Sequence, residues 1–498
     1  MADYKHGTYG QVLAVGTKAA QASSTAMVYV GSAPVHHVLG GCSNLNKPVL
    51  VENIAQARAK FGYSEDWADF TLCEAMHVHF ELNSVGPLVM INVYDPTTRK
   101  SSATTTKNVK MSGGKLVLAD ADDVIVDTLT VKAPDGEAVA VAESGFSVSY
   151  DYERKTLTLS GAANPAGDST DAYVLTYSTL DADSKAPTQA ELIGESDLTV
   201  GKNTGLYAIR TVYQVTGYIP GFLVVPGWSS VPAVHSVMVS LSKKLNDHWD
   251  IYLYVDLPLV NGETKLTLGT VATYKEGNGY NQENESVYWP MAAGTDGNYY
   301  HLSVLAAANL QALLLDQDGI PYRSASNTDC AIIEGLHTGD DVDPIYDDYT
   351  INYYLNKNGI DSAAYVGGRW AIWGAHSADY NQSNADSINV AETNRMMLYY
   401  LSNDFQHRRW PDVDQPMTTN TLATIVAEEQ ARLDALVKIG ALLYGEVSQN
   451  ATADARSDML NGDFSFVFNV TTTPLAKSLT AVVQWTDEGF STYFAEEE

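Results

Sequence analysis

Two apolar runs with one amphipathic helix between them constrain this chain more than any other feature. Gly221-Phe-Leu-Val-Val-Pro reads as a buried strand. Val231 to Asn246 follows as a helix, with Val234, Val237, Met238, Leu241 and Leu245 on one face. Asp250 to Asp256 is the next strand. A strand, a helix and a strand at this spacing make a βαβ unit, so the two strands are expected to be parallel with a right-handed crossover. Parallel strands are covered on both faces, which predicts helices above and below a continuous apolar sheet.

Other segments fit the same layer. Ala26 to Gly31 and Leu88 to Tyr94 read as buried strands, and Pro48 to Glu52 as a short one. Asn53 is placed to cap a helix ending at Phe61-Gly62. Asp66 is placed to cap a longer helix to about Asn83. Tyr288-Trp289-Pro290 looks like a strand end, and Tyr299 to Leu315 an Ala/Leu-rich helix.

Between Lys107 and Leu180 the chain changes character and becomes rich in Val, Thr, Ser, Asp and Gly. Strands are predicted at Lys115 to Ala119, Asp127 to Val131, Phe146 to Tyr150, Thr156 to Leu159 and Tyr173 to Tyr177, with a turn at Pro134-Asp135-Gly136. Six or seven short strands predict a small all-β sandwich or barrel. Because α/β segments lie on both sides of it, it reads as an insertion.

The last third reads as a strand from Tyr365 to Ile372, then helices from about Glu392 to Phe405 and from Asn420 to Ile439. In the second helix Leu422, Ile425, Val426, Leu433, Leu436 and Val437 fall at helical spacing, with Glu428, Arg432 and Lys438 turned away. Asn420 or Thr421 is placed to cap its start, and Gly440 and Gly445 to stop it. Phe464 to Val470 and Leu479 to Thr486 read as strands, the latter close to the terminus. An apolar strand at a free end is a hazard unless something pairs with it.

Composition removes several function classes. Sixty acidic residues against 30 basic give a net charge of −30, and a phosphate backbone would repel such a surface. No nucleic-acid partner is expected. The three cysteines, Cys42, Cys73 and Cys330, are odd in number and lack a CxxC pair, so no disulfide framework is implied and a reduced, intracellular site of synthesis fits. The first residues lack a signal pattern, and no apolar run approaches the roughly 20 residues needed to cross a bilayer. A soluble chain with no membrane partner is expected.

Chemistry-bearing motifs are sparse. There is no GxxxxGK[ST] loop and no GxSxG elbow, and Gly277-Asn-Gly279 lacks the third glycine of a dinucleotide loop. His77 and His79 point apart on a helix, whereas zinc helices use i, i+4. His36-His37 has no acidic or cysteine neighbour in sequence. Asp340, Asp341, Asp343, Asp347 and Asp348 lack the Gly and closing Glu of an EF-hand loop and read as a solvated loop or a weak cation site. Arg408-Arg409-Trp410 is a basic-aromatic knot, read either as a helix end or as a contact with an acidic neighbour. No catalytic residue, cofactor or metal is assigned.

Gly-Gly-Arg-Trp-Ala-Ile-Trp-Gly-Ala-His (367–376), Asn394-Arg395 opening a helix, and a long helix closing on Ile-Gly-Ala-Leu-Leu-Tyr-Gly (439–445) resemble the C-terminal domain of contractile tail sheath proteins. Those form the contracting sleeve around the tube of phage tails and phage-tail-like particles. Upstream, Val-Pro-Gly (225–227), Asp-Leu-Pro (256–258), Tyr-Trp-Pro (288–290) and Ser326-Asn327 resemble the same family in order.

The resemblance implies an α/β and α+β multi-domain protein: a sheath-type α/β core, an inserted all-β domain, and extended terminal arms. The expected divisions are an N-terminal arm (1–24), the first part of the core (25–96), the β insertion (97–185), the rest of the core (186–355), a C-terminal sheath domain (356–478) and a C-terminal arm (479–498). The resemblance further implies a structural subunit, not an enzyme. Its partners would be itself in a helical homopolymer, a tail tube protein, and baseplate and tail terminator proteins. It would assemble in the host cytoplasm and reside in a virion tail or headless tail-like particle. The arms would add strands to neighbouring subunits through Thr8, Tyr9, Val12 and Val15 at one end and Leu479, Val482, Val483 and Trp485 at the other. Lys18 to Thr25 and Thr471 to Pro474 are the expected linkers. Arg408, Arg409, Glu428, Glu429, Arg432 and Lys438 are the expected contacts to the tube or to neighbours. From the residues alone, an α/β hydrolase-like enzyme with an accessory β domain stands as the alternative, and a secretion-system sheath component as a third.

Overall fold

The computed structural model describes residues 25–161, 172–181, 186–340, 344–450 and 452–493. The predicted N-terminal arm, with Thr8, Tyr9, Val12 and Val15, lies outside them. The chain divides into two compact units, with the break between Thr418 and Thr419.

The first unit begins with β1 (Thr25–Gly31), β2 (Pro48–Val51), α1 (Ile54–Phe61), α2 (Thr71–Met76) and β3 (Leu88–Asn92). Asn53 caps α1 as expected, its side chain accepting from the Gln56 N–H at 3.0 Å. Asp66 does not cap α2. The chain turns after Asp66, and the helix starts at Thr71 because Ser32, just beyond β1, takes its first donors. Thr71 N–H donates to Ser32 Oγ at 3.1 Å, and Leu72 N–H to the Ser32 carbonyl at 2.9 Å. This tertiary cap replaces the local one. A π-helical segment, His77–Leu82, completes the predicted length.

Residues 100–180 hold β4 (Lys100–Lys110), β5 (Lys115–Leu118), β6 (Thr130–Lys132), β7 (Ala138–Ala140), β8 (Ser147–Asp151), β9 (Thr156–Ser160) and β10 (Ala172–Leu180). They form a four-stranded sheet, β4-β10-β6-β7, and a three-stranded one, β5-β9-β8. The side chains between them, among them Leu116, Val126, Val131, Leu159 and Leu175, make a hydrophobic cluster separate from the main core. Alternating burial along β9 and β10 is the period-2 signature of sheets with one wet face. Two predictions shift here. Asp127 falls in a 3₁₀ turn (Val126–Thr128), so β6 starts at Thr130. The Pro134-Asp135-Gly136 turn forms with Gly136 N–H donating to the Ala133 carbonyl at 3.1 Å, which puts Gly136 at the fourth turn position. The segment leaves where it began: Leu180 pairs with Lys100, and Asp181 N–H donates to the Arg99 carbonyl at 2.8 Å.

The main layer resumes with β11 (Ile219–Val224), α3 (Pro232–Ser242), β12 (Tyr252–Asp256), α4 (Val271–Gly277), β13 (Glu285–Tyr288) and α5 (Leu302–Asp316). The predicted βαβ unit is present: β11 and β12 run parallel, with Phe222 opposite Tyr252. α3 stops four residues earlier than expected. Lys244, Asn246 and Asp247 adopt positive φ, a conformation that Asn and Asp tolerate and helices do not. The six-stranded sheet runs β13-β12-β11-β1-β3-β2, parallel throughout except at the edge strand β2. Strands β3, β11, β12 and β13 are buried at every position and β1 at all but Thr25, as apolar runs covered on both faces should be.

The remainder of the first unit contains α6 (Asp348–Tyr354), β14 (Ser362–Val366), β15 (Arg369–Trp373) and α7 (Glu392–Arg409). The single strand expected from Tyr365 to Ile372 is a hairpin. Gly367 and Gly368, at φ 61° and 82°, make a two-residue turn between Val366 and Arg369. Two consecutive positive φ values are what a tight hairpin of right-handed twist requires.

The second unit holds α8 (Thr419–Lys438), β16 (Leu442–Gln449) and β17 (Phe466–Thr472). α8 starts just ahead of Asn420 and Thr421, which therefore lie in its first turn. No strand forms at Leu479 to Thr486; that stretch is irregular.

Candidate assembly surface

The second unit is a helix laid on one face of a two-stranded sheet. Leu422, Ile425, Glu429, Leu433 and Leu436 form the buried stripe of α8. Their spacing of three and four residues is one helical face. Gly440, at φ 80°, ends the helix, and Ala441 N–H returns to the Leu436 carbonyl at 2.9 Å. Gly445 does not terminate the helix but lies within β16. There a Cβ would come 2.9 Å from Leu433 Cβ, so the missing side chain lets strand and helix touch. Gln430 fastens the two. Its Nε2 donates to the Gly445 carbonyl at 3.0 Å, and its Oε1 accepts from Val447 N–H at 3.0 Å.

β16 and β17 pair antiparallel from Leu442 opposite Thr472 to Gln449 opposite Phe466. Burial alternates along β17, and its Phe466, Phe468 and Val470 are only half-buried. Beyond the hairpin the chain carries large apolar side chains into solvent: Leu479 is 91% exposed, Val482 80%, Val483 91% and Trp485 81%. Full burial of such a side chain stabilises by roughly 1.5–3 kcal/mol, and here almost none of that is realised within the chain.

The other expected contact residues separate into groups. Glu428 and Lys438 are exposed and Arg432 is half-exposed. Glu429, expected at the surface, is 1% exposed and belongs to the buried stripe of α8. Val437, expected in the core, is exposed. In the first unit Arg408 pairs with Asp404 at 2.5 Å and Arg409 with Asp412 at 3.3 Å. Trp410 stacks beside Tyr213 and meets the His248 ring at a tilt, yet stays 46% exposed at the end of the helix. Of the expected linkers, Thr25 opens β1, and Thr471 and Thr472 complete β17. Thr473 Oγ1 donates to the Gly440 carbonyl at 2.6 Å.

Polar clusters invisible to sequence spacing lie inside the first unit. At the carboxyl end of β12, Asp256 accepts from Ser303 N–H at 3.0 Å and from Ser303 Oγ. His301 Nδ1 lies 2.7 Å from Glu74 Oε2, and His301 N–H donates to Glu74 Oε1 at 2.7 Å. Despite its burial, the Glu74 charge and hydrogen bond raise His301 to about 9. This set does not make a nucleophile–base pair, because the serine hydroxyl serves a carboxylate and the imidazole is held charged at neutral pH. His79, 2.6 Å from Tyr29 Oη, is pushed down to about 3 by burial. His77 instead meets Glu81 at 2.8 Å, so the two histidines do point apart.

His36 and His37 do find an acidic neighbour in the fold. Both Nε2 atoms lie near the Asp122 carbonyl, at 3.0 and 2.6 Å, and His37 stacks on Tyr150. The cavity there, about 150 Å³, is smaller than the roughly 300 Å³ at which ligand pockets usually begin. In the acidic loop, Asp340 pairs with Lys265 and Asp347 caps α6, while Asp341 and Asp343 lie outside the described residues. Burial pushes the Cys73 and Cys330 thiols up to about 12, so neither is a ready nucleophile. Among the described residues, no group of three or more His, Cys, Asp or Glu is placed to hold a metal ion, and no helix is long and apolar enough to cross a membrane.

No protein-family model matches the chain. The tail sheath protein of Burkholderia phage BcepMu is 22% identical over 500 residues, covering 98% of each chain. The major tail sheath protein of Serratia phage KSP20 is 22% identical over 331 residues, covering 66% of this chain and 79% of that protein. The fold aligns with the sheath of an extracellular contractile injection system, PVC, solved in a contracted state. That alignment has a TM-score of 0.53 and 11% identity, and covers 98% of this chain and 99% of the other. The two named relatives and the shared fold support the contractile tail sheath family for this chain.

Proposed function

We propose that this chain is the structural subunit of a contractile sheath that polymerises helically around a tail tube and contracts to drive the tube through a cell envelope. The observation that carries the reading beyond family is the exposed apolar tail, Leu479 to Thr486. A side-chain row of this kind is costly in water and is stabilised by pairing with another chain. The arm adds a strand to a neighbour's sheet, and the N-terminal arm, Thr8 to Val15, does the same at the other end of the chain. Strand ladders between subunits keep them linked while rigid bodies rotate past one another.

In this reading residues 97–185 are an insertion carried by the core. Support comes from the segment's own hydrophobic cluster and from its two ends pairing side by side. The exposed charges of α8, Glu428, Arg432 and Lys438, face the tube or an adjacent subunit. Baseplate and terminator proteins bound the polymer, which resides in a virion tail or tail-like particle after assembly in the host cytoplasm. Contraction needs no cofactor if the contracted lattice pairs more surface than the extended one.

Negative-stain microscopy of the purified chain, alone and with a tail tube as nucleus, tests this. Hollow striated tubes are expected. Monomers under both conditions at high concentration would overturn the proposal.

A further inference from the structure

The strand β13 carries more than its place at the edge of the parallel sheet. Asp361, one residue before β14, extends that sheet by a single bridge to Tyr288. Its N–H donates to the Val287 carbonyl at 2.7 Å, and its carbonyl accepts from Trp289 N–H at 3.0 Å. The side chain is fully buried, and neither carboxyl oxygen completes a hydrogen bond among the described residues. The carboxyl occupies the space left by Gly374, where a Cβ would sit 2.0 Å from Oδ1. Nothing larger than glycine fits there.

The surroundings add charge without satisfying it. Glu392, the first residue of α7, is buried and accepts from Ser286 Oγ at 2.6 Å and Ser324 Oγ at 2.5 Å. On α4, the Lys275 ammonium faces the cluster but donates to the Ala378 carbonyl at 2.5 Å. On β13, Glu285 is taken by His235 of α3 at 2.6 Å. The fully buried Tyr252 and Tyr254 of β12 and Tyr288 of β13 feel the Asp361 charge, the His376 N–H of the following loop faces that carboxyl, and Asp379 acts on Lys275. An isolated buried carboxylate is among the costliest groups a fold can hold.

We propose that the seam between β13 and residues 361–376 is a proton-dependent latch, seated by one proton carried in the Asp361–Glu392 cluster and loosened when that proton is lost. Burial, followed by the charge of Glu392, holds the Asp361 carboxyl well above the usual carboxylate range, against the pull of Lys275 and the His376 N–H. A group raised in this way gives stability that is complete below its ordinary value near 4 and is lost as pH rises through its folded value.

Hydrogen exchange of the full chain between pH 6 and 9, corrected for intrinsic chemistry, reads the seam in peptides covering 285–290 and 361–376. In the parent, protection is expected to fall about tenfold per pH unit within the titration window. In Asp361→Asn the slope is expected to be shallower by about that amount, leaving only the pH dependence of the other groups, such as Lys275 and His301. A flat parent, or an equal slope in both, overturns the latch. If Asp361→Asn does not fold, infrared titration of the parent decides. A protonated-carboxyl band present at neutral pH and lost under alkaline conditions supports the latch, and its absence at neutral pH overturns it. Tube formation is not the readout, so the result is independent of the sheath proposal.

Discussion

The six-stranded sheet of the first unit and the two-stranded sheet of the second solve the same problem with different resources. Strands β3, β11, β12 and β13 are buried at every position, between helices that their own chain supplies. β17 alternates between half-buried and exposed, and one helix covers one face of its sheet. A parallel sheet that binds its own helices is finished within the chain. A two-strand sheet is marginal without further cover, and here the next segment of sequence is an apolar row left in water. The difference marks where the chain covers its own apolar surface and where it leaves that surface in water.

The largest expected effect breaks that comparison outright. Deleting Leu479 to Glu498 should leave both units folded, with an unchanged melting curve, yet abolish tube formation under the microscope. Normal tubes would remove the arm from the account, and an unfolded chain would assign the segment to its own core. Next in size is Leu253→Ala in β12. Its side chain is fully buried, and the loss should be roughly 2–5 kcal/mol by denaturant melting. Val467→Ala in β17, at a side chain 38% exposed, should cost well under about 1 kcal/mol as a monomer.

Gly445→Ala sharpens the picture of the second unit. A Cβ 2.9 Å from Leu433 Cβ forces α8 and β16 apart, and about 1–3 kcal/mol should be lost from that unit alone. A pH dependence is expected in the first unit. The His301–Glu74 pair raises the histidine, so its contribution is complete below about 6.5 and is lost as pH rises through about 9. The melting temperature of the first unit should therefore decline across that window in the parent, and less so in His301→Asn.

The sequence was most legible where one chain segment settles its own surroundings. The apolar runs of β11 and β12, the amphipathic stripe of α8 and the Asn53 cap could be read because period and local chemistry agree. Partners far away in sequence defeated the reading elsewhere. Ser32 caps α2 in place of Asp66, and Glu429 falls on a buried stripe although its residue type points to solvent. The Gly367-Gly368 hairpin carried a local signal, consecutive glycines between apolar runs, that a single-strand reading ignored. The Asp256, His301 and Asp361 clusters left no signal at all, because their members are brought together only by the sheet. Leu479 to Thr486 has strand character without a strand, because a ladder needs a second chain segment that the isolated molecule does not place there.

One measurement bears most directly on the central claim: a helical reconstruction of the assembled protein, resolved well enough to trace Leu479 to Thr486 from one subunit to the next. The account predicts that this segment leaves its own subunit and lies as a strand in a neighbour's sheet. A segment folded back onto its own subunit, or a tube in which it stays in solvent, would contradict the account.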